Sequence, residues 1–460
     1  MQNILSAGRD PVGKAQIKNN IVLRGIYKEY APFFKTVLAN AAVEGMLGEK
    51  LVETQIAKQN LPGYALTIQH PLISPRSYAF EWPLVMLKDA ALLTLDICLA
   101  LNHENWVLKD ASPWNIQFRA TQPLLVDFTS ISTQERDLPW VAYDQFLHTF
   151  LFPLLVGYYS SGQVARALLL SNQNGVSPQL VKRFLPLYAR TRFGWLVKRL
   201  EMPLFLMNML HHSGQQKEIA RLQSRMEISP QQRTDFFQTL KKDLASIPLG
   251  GAKSMWSQYY RSMDSFFKPE KFHSKQKTVA ELLAKYQPQS VVDLGCNVGG
   301  YAILAAHAGA KVVAFDTDEQ SIAMLYQLAR EKSLHILPLV ADVLYPSPQC
   351  GWRAQEFPPL PQRLQSELGL ALALEHHLAI SQNHTFEQIA QTFAEYCQKW
   401  LVTEFVPIDD PRVQELLLTS RRDMSWYTLE NFQKALQVEF KRIQTFPSHP
   451  KGRTLLFCEK

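Results

Sequence analysis

Hydrophobic and polar positions along the chain fall into three textures. Residues 1–135 combine short β-like runs, such as 64–68 and 124–128, with a long apolar helical stretch over 84–101, which together predict a compact α+β unit. Residues 136–250 carry apolar residues at helical spacing almost throughout and predict helix. From about Pro288 onward short apolar runs alternate with helical segments, the pattern of a parallel sheet with crossover helices. Strands are expected at 291–294, 312–315, 336–341, 369–375, 400–406, 438–445 and 453–458, a doubly wound, Rossmann-like α/β sheet of seven strands. Neither a low-complexity linker nor an internal repeat marks a border. A chain of 460 residues is nevertheless too long for one core, and the change of texture predicts an N-terminal part over 1–250 and a C-terminal part over 251–460.

The segment SVVDLGCNVGGYAILAAHAGAKVVAFDTD carries the clearest chemistry. It places an apolar strand before a glycine-containing turn, then a helix, then a second strand that ends in an acid. Gly295 and Gly299 suit a tight turn that approaches a ligand, and the helix that follows offers unpaired N–H groups. Asn297 stands where a third glycine is common, and asparagine tolerates a left-handed backbone. Asp316 follows Asp293 at the tip of the second strand, where a carboxylate can grip both hydroxyls of a ribose. Asp342 closes the third strand and is expected to face an adenine ring and its exocyclic amine.

These residues resemble the S-adenosylmethionine site of class I methyltransferases, whose D-x-G-x-x-x-G motif, second-strand acid and third-strand acid match Asp293, Gly295, Gly299, Asp316 and Asp342. A dinucleotide-binding domain is the rival fold, but the G-x-G-x-x-G spacing is missing because Cys296 and Asn297 follow Gly295. Acceptor chemistry in such a fold sits after the fourth strand, which here runs into Glu375, His376 and His377. An imidazole there can take a proton from a hydroxyl or amine, so His376 and His377 are catalytic candidates beside the alternative of a histidine that merely caps the strand. Glu404, with Asp409 and Asp410, follows the fifth strand and is a further candidate for the acceptor pocket, though strand-end acids also satisfy loops and helix starts.

The N-terminal half holds a second pattern. HENWVLKDASPWNIQFRATQPLLVDF contains Asp110, Asn115 and a strand ending at Asp127. The arrangement resembles the catalytic loop and metal-binding Asp of protein-kinase-like and aminoglycoside-phosphotransferase-like folds, which implies Asp110 as base with Asn115 and Asp127 on magnesium, and Mg-ATP as cofactor. Yet no Gly-rich G-x-G-x-x-G loop and no clear strand lysine with a helix glutamate precede it, and Lys109 replaces the usual residue before the Asp. An active kinase, a kinase-like scaffold that has lost catalysis and an unrelated domain with a chance match all stay open. On the scaffold alternative the three polar residues hold the loop through side-chain-to-backbone hydrogen bonds.

Composition adds limits. With 47% apolar and 19% charged residues the chain is expected to fold nearly throughout. A net charge of +7 lacks the concentrated basic stripe of a nucleic-acid binder, and the densest basic stretch, 182–199, interleaves with apolar residues as a solvated helix face does. The cysteines at 98, 296, 350, 397 and 458 show no C-x-x-C pairing, which argues against a zinc site or disulfide framework. The N-terminus lacks a basic-then-apolar signal pattern and the greasiest segment, 146–159, is too short to span a bilayer, so a cytoplasmic protein with no membrane span is expected. Trp256, Tyr259, Tyr260, Phe266 and Phe267, followed by Lys268, Lys271, Lys275 and Lys277, are either an aromatic and basic lid or an amphipathic element docked on the sheet. The Pro-rich segment 345–361 is a candidate specificity loop.

Over most of its length the chain also resembles a bacterial group of methyltransferases similar to a nodulation protein, through EWPLVMLKDAALLTLDICLAL, LKDASPWNIQF, DLGCNVGGYA, ALEHHLAI and EFVPIDDP. That resemblance implies one architecture for both halves. The expectation is an S-adenosylmethionine-dependent methyltransferase with a small-molecule or saccharide hydroxyl as acceptor. The alternatives are a bifunctional kinase-methyltransferase and a methyltransferase with a non-catalytic kinase-like binding module.

Overall fold

The computed structural model describes residues 3–4, 10–134, 139–202, 228–249, 263–418 and 423–460. By their internal contacts the residues divide into two compact units, Met1–Leu249 with Gly351–Glu356, and Gly250–Cys350 with Phe357–Lys460.

The N-terminal unit opens with an antiparallel sheet that the apolar pattern left largely unread. Its strands are β1 (Asn3–Ile4), β2 (Gly13–Lys18), β3 (Ile21–Ile26), β4 (Gln55–Ile56) and β5 (Leu66–Pro71), in the order β1-β2-β3-β5-β4. The β2–β3 hairpin turns on Asn19 and Asn20, both left-handed (φ 51 and 60), as a two-residue turn with matching twist requires. The helix Leu84–Leu101 forms where the long apolar run lies, and it buries residues all round, including Met86, Leu87, Ala90, Leu95, Ile97 and Cys98. It leads to β6 (Trp106–Leu108), β7 (Ile116–Arg119), β8 (Gln122–Leu125) and β9 (Ile131–Thr133), paired β6 with β9 and β7 with β8. The strand expected at 124–128 thus stops at Leu125, because Asp127 turns back to accept the Thr129 N–H. Helical segments follow, among them Phe152–Tyr159, Gly162–Ser171 and Pro230–Ala245.

The C-terminal unit is a seven-stranded sheet. Its strands are β10 (Ser290–Leu294), β11 (Lys311–Asp316), β12 (Ile336–Val340), β13 (Ser366–Ala371), β14 (Cys397–Phe405), β15 (Arg442–Pro447) and β16 (Thr454–Glu459), in the order β12-β11-β10-β13-β14-β16-β15. The first five are parallel, β16 runs antiparallel to them, and β15, antiparallel to β16 at the edge, runs in the direction of the first five. Parallel strands covered on both faces read as unbroken apolar runs, and all of Ile336–Val340 is buried. Helices Ser274–Tyr286, Gly300–His307, Glu319–Glu331, Phe386–Tyr396 and Leu429–Glu439 accompany the sheet. Strand order reverses between β10 and β13, and a crevice at such a switch point, beyond the carboxyl ends of the strands, is where this kind of sheet binds ligands.

Two expected strands need correction. The fourth begins at Ser366 and ends at Ala371 rather than running over 369–375, since Ala373 adopts a left-handed φ of 53 that breaks the extended backbone. The sixth begins at Arg442, because 438 and 439 complete the helix Leu429–Glu439, capped by the Thr428 hydroxyl and anchored by buried Phe432, Ala435 and Leu436. Among the described residues no helix is long and apolar enough to cross a membrane.

Candidate active site

Three strand-end acids gather at the carboxyl edge of β10, β11 and β12. β10 ends in a turn through Gly295 (φ 63), Asn297 (φ 50) and Gly299 (φ 78), all left-handed, and the helix Gly300–His307 starts directly after it. A Cβ on Gly295 would stand 2.9 Å from Leu374 Cδ1, and one on Gly299 would strike Leu325. The space beside both glycines is therefore filled by protein, and their backbone shape, not an open approach on the Cβ side, is what demands glycine. Asp316 Oδ2 accepts the Asn297 N–H at 2.8 Å and its Oδ1 accepts the Asp318 N–H at 3.0 Å, so the second-strand acid is locked to the turn. Asp342 Oδ1 accepts the N–H groups of Leu344 (2.8 Å) and Tyr345 (3.2 Å), which shapes the loop after β12.

Asp293 lies behind the turn and is 3% exposed. Its Oδ2 is buried without a hydrogen-bond partner. Burial lifts its carboxyl to about 7, with Asp316 adding repulsion and the Ala302 N–H and Lys275 opposing. A nucleoside cofactor fits this edge: a strand-end carboxylate stands beside a glycine turn, and the helix N-terminus opens there.

The segment after β13 folds back on the same turn. Left-handed Ala373 swings Leu374 against Gly295 and sends Glu375 into the interior. Glu375 Oε1 accepts the Val406 N–H at 2.6 Å and lies 3.1 Å from the Tyr427 hydroxyl. His376 is 2% exposed, with Nδ1 3.6 Å from Glu375 Oε2, and neither of those two atoms has a hydrogen-bond partner. His377, by contrast, is exposed, with its ring centroid 4.2 Å from that of His376. Partial burial and the neighbouring His376 hold its pKa below the usual value, against the pull of Glu375 and Asp316.

Glu404 departs from its expected role. It is fully buried, its Oε2 pairs with Lys275 Nζ at 2.6 Å, and its Oε1 takes the Ser448 hydroxyl. Fully buried, with both oxygens paired to core groups, it is walled off from an acceptor. Asp410 likewise caps the helix Pro411–Leu417 and holds Arg453 through two bonds, at 2.7 and 3.1 Å. Lys275 stood in the sequence only as part of a basic run; its pairing with Glu404, 129 positions away, was invisible to local pattern, as were the contacts of Leu374 and Tyr427.

Of the aromatic cluster before the sheet, Trp256, Tyr259 and Tyr260 lie outside the described residues. Phe266 meets Tyr301 edge-on at 5.2 Å and fills the space beside Gly300, while Phe267 meets His307 at 5.5 Å. These two rings dock on the helix after the turn and do not form a lid over it.

In the N-terminal unit, Asp110 follows β6, Asn115 precedes β7 and Asp127 follows β8. Burial and the Asp127 charge raise the Asp110 carboxyl, against Gln145, Asn115 and Ser112. Asp110 Oδ1 and Asn115 Nδ2 are buried without a well-formed hydrogen bond.

Residues 258–344 match the family model described as tellurite resistance protein TehB. The chain is 29% identical over 466 residues to the nodulation protein NoeA of Rhizobium meliloti (strain 1021), covering 98% of this chain and 95% of that one. Among solved structures it is similar to an O-methyltransferase of Nostoc punctiforme PCC 73102 described as putative, at 15% identity and a TM-score of 0.32, covering 45% of this chain and 60% of that one. It is also similar to the bifunctional kinase-methyltransferase WbdD, at 15% identity and a TM-score of 0.29, covering 40% of this chain and 37% of that one. The chain thus spans less than two thirds of either structural relative. The strand order and the glycine turn carry the fold assignment without them. The C-terminal unit has a doubly wound, Rossmann-like sheet whose glycine turn and strand-end acids resemble those of class I methyltransferases, in a chain that is similar over 98% of its length to a nodulation protein.

Proposed function

We propose that the C-terminal unit binds S-adenosylmethionine across 291–342 and transfers its methyl group to a hydroxyl of a small molecule or saccharide. The 2.8 Å bond between the Asn297 N–H and Asp316 Oδ2 carries this reading, because it fixes a ribose-gripping carboxylate against a glycine turn at the switch point of the sheet. Asp316 holds the ribose hydroxyls, Asp342 lies toward the adenine, and the 295–299 turn receives the amino-acid end. When bound, the cofactor supplies an electrophilic sulfonium methyl for a single displacement.

The chain's own residues supply position and a proton acceptor. With its pKa held down, the His377 imidazole is neutral at neutral pH and can accept the hydroxyl proton as the oxygen attacks. His376 and Glu375, buried behind it, fix the bend that presents His377 and do not themselves reach the acceptor. Leu374 joins this bend to the cofactor turn, so acceptor and methyl donor are aligned by one packed contact. We place the border between the two parts at 250/251.

A labelled-methyl screen over small-molecule and saccharide fractions tests the assignment. Transfer should depend on S-adenosylmethionine, and His377→Asn should lower its rate by roughly 10²–10⁴ with cofactor affinity unchanged. An unaltered rate in that variant removes His377 from the mechanism, whereas transfer to protein only would reject the acceptor class.

A further inference from the structure

A cation already sits where the kinase-like loop would need one. Arg24 lies in β3 between Val22 and Ile26, on the inward face of the strand, and its partners across the sheet are Ala15 and Ile68. Val22, Ile26, Ala15 and Ile68 are at most 3% exposed, so a guanidinium on this face has to find its neutralising groups inside the unit. It finds them in the segment before β2 and in the loop after β8. Its Nη1 donates to Asp10 Oδ2 at 2.9 Å and to Thr129 Oγ1 at 2.6 Å, and its Nη2 lies 3.1 Å from Asp127 Oδ1.

Asp127 Oδ1 is heavily subscribed, since it also accepts the Thr129 N–H at 3.2 Å and the Thr129 hydroxyl at 2.7 Å. Lys109 adds a second positive charge, 3.8 Å from Asp10 Oδ1. Asp10 and Asp127 thus each face a side-chain cation, Arg24 or Lys109, without any metal. Magnesium or manganese would need oxygen ligands in near-octahedral array, yet Asp127 Oδ1 is already taken by the Thr129 groups and the guanidinium, and a positive charge that cannot be lost, 3.1 Å from that oxygen, opposes a divalent ion at this carboxylate. Among the described residues no group of three or more His, Cys, Asp and Glu is placed to hold a metal ion.

We propose that Arg24 is the resident cation of this cluster, tying the Asp10 segment, β3 and the Asp127 loop together, and that it keeps divalent metal off Asp127. The Asp110, Asn115 and Asp127 set therefore retains the shape of a phosphotransfer loop while its metal seat is filled by a side chain.

Titration of the full chain with Mn²⁺, followed by the paramagnetic resonance signal of the free ion, tests this. The unaltered chain should take up no Mn²⁺ at this site, Arg24→Gln should gain uptake, and Arg24→Gln combined with Asp127→Asn should lose it again. Arg24→Lys, which keeps the charge, should behave as the unaltered chain. Uptake by the unaltered chain that Asp127→Asn abolishes overturns the proposal, and so does a folded Arg24→Gln that takes up none. If Arg24→Gln does not fold, melting of the unaltered chain decides. No shift with Mn²⁺ is expected, and a rise that Asp127→Asn removes refutes the role of Arg24.

Discussion

Replacing Asp293 by asparagine removes a carboxylate that the fold buries with one oxygen unpartnered. In the unfolded chain this group ionises near its ordinary 3.8, whereas in the folded unit it holds its proton to about 7. Between those values folding takes up a proton, so stability falls as pH rises through the window and levels off above about 7. Below 3.8 the cost is absent. At about 1.4 kcal/mol per pKa unit, the rise from 3.8 to about 7 bounds the full penalty at about 4 kcal/mol. Roughly half, about 2 kcal/mol, falls between about pH 5.5 and 7, where other carboxylates are already ionised. Asparagine keeps an acceptor for the Ala302 N–H and carries no charge, so its own cost does not vary with pH. Melting temperatures of the native chain and Asp293→Asn, compared from about pH 5.5 to 8, should therefore diverge in favour of the variant by roughly 4–8 °C. A difference that stays constant across that range would show that Asp293 is not the buried, proton-holding group described here.

Lys275→Met should destabilise the C-terminal unit by about 3–5 kcal/mol, because it strands the fully buried Glu404 charge, and adding Glu404→Leu should restore much of the loss; thermal melting of the single and double variants reads both. Gly295→Ala meets Leu374 at 2.9 Å in a left-handed backbone and should lower stability by about 1–3 kcal/mol, more than Gly309→Ala, where φ is 90 but the space is open. Methyl transfer should rise with pH through a midpoint below the ordinary histidine value of 6.5 and be flat at neutral pH, and a pH–rate profile without that limb would exclude His377 as the base.

Much of the C-terminal sheet was legible because parallel strands covered on both faces are short apolar runs, and the glycine turn needs left-handed residues that only glycine and asparagine supply cheaply. The register of the three acids followed from that. What pattern could not show was set by distant contacts or by strain. The Lys275–Glu404 pair joins residues 129 positions apart, and left-handed Ala373, which ends β13 early, is an alanine like any other in sequence. Val438 looked like a strand residue but is 77% exposed on the last turn of a helix, which the buried Phe432, Ala435 and Leu436 hold in place. In the N-terminal unit the β2–β3 hairpin had a signal in Asn19-Asn20 between apolar positions, yet the strands are short and one of them carries an inward arginine. That same arginine is why the loop can look like a phosphotransfer site in sequence while being neutralised from across the sheet.

Calorimetric titration of the full chain with S-adenosylmethionine tests the central claim most directly, with Asp316→Ala beside the native chain. Saturable binding to one site is expected, weakened by at least about tenfold in the variant, which loses a charge-assisted contact of about 1.5–3 kcal/mol to the ribose. Equal affinity in the two chains, or no binding to a chain shown to be folded, would contradict the assignment of the glycine turn and Asp316 as the cofactor's seat.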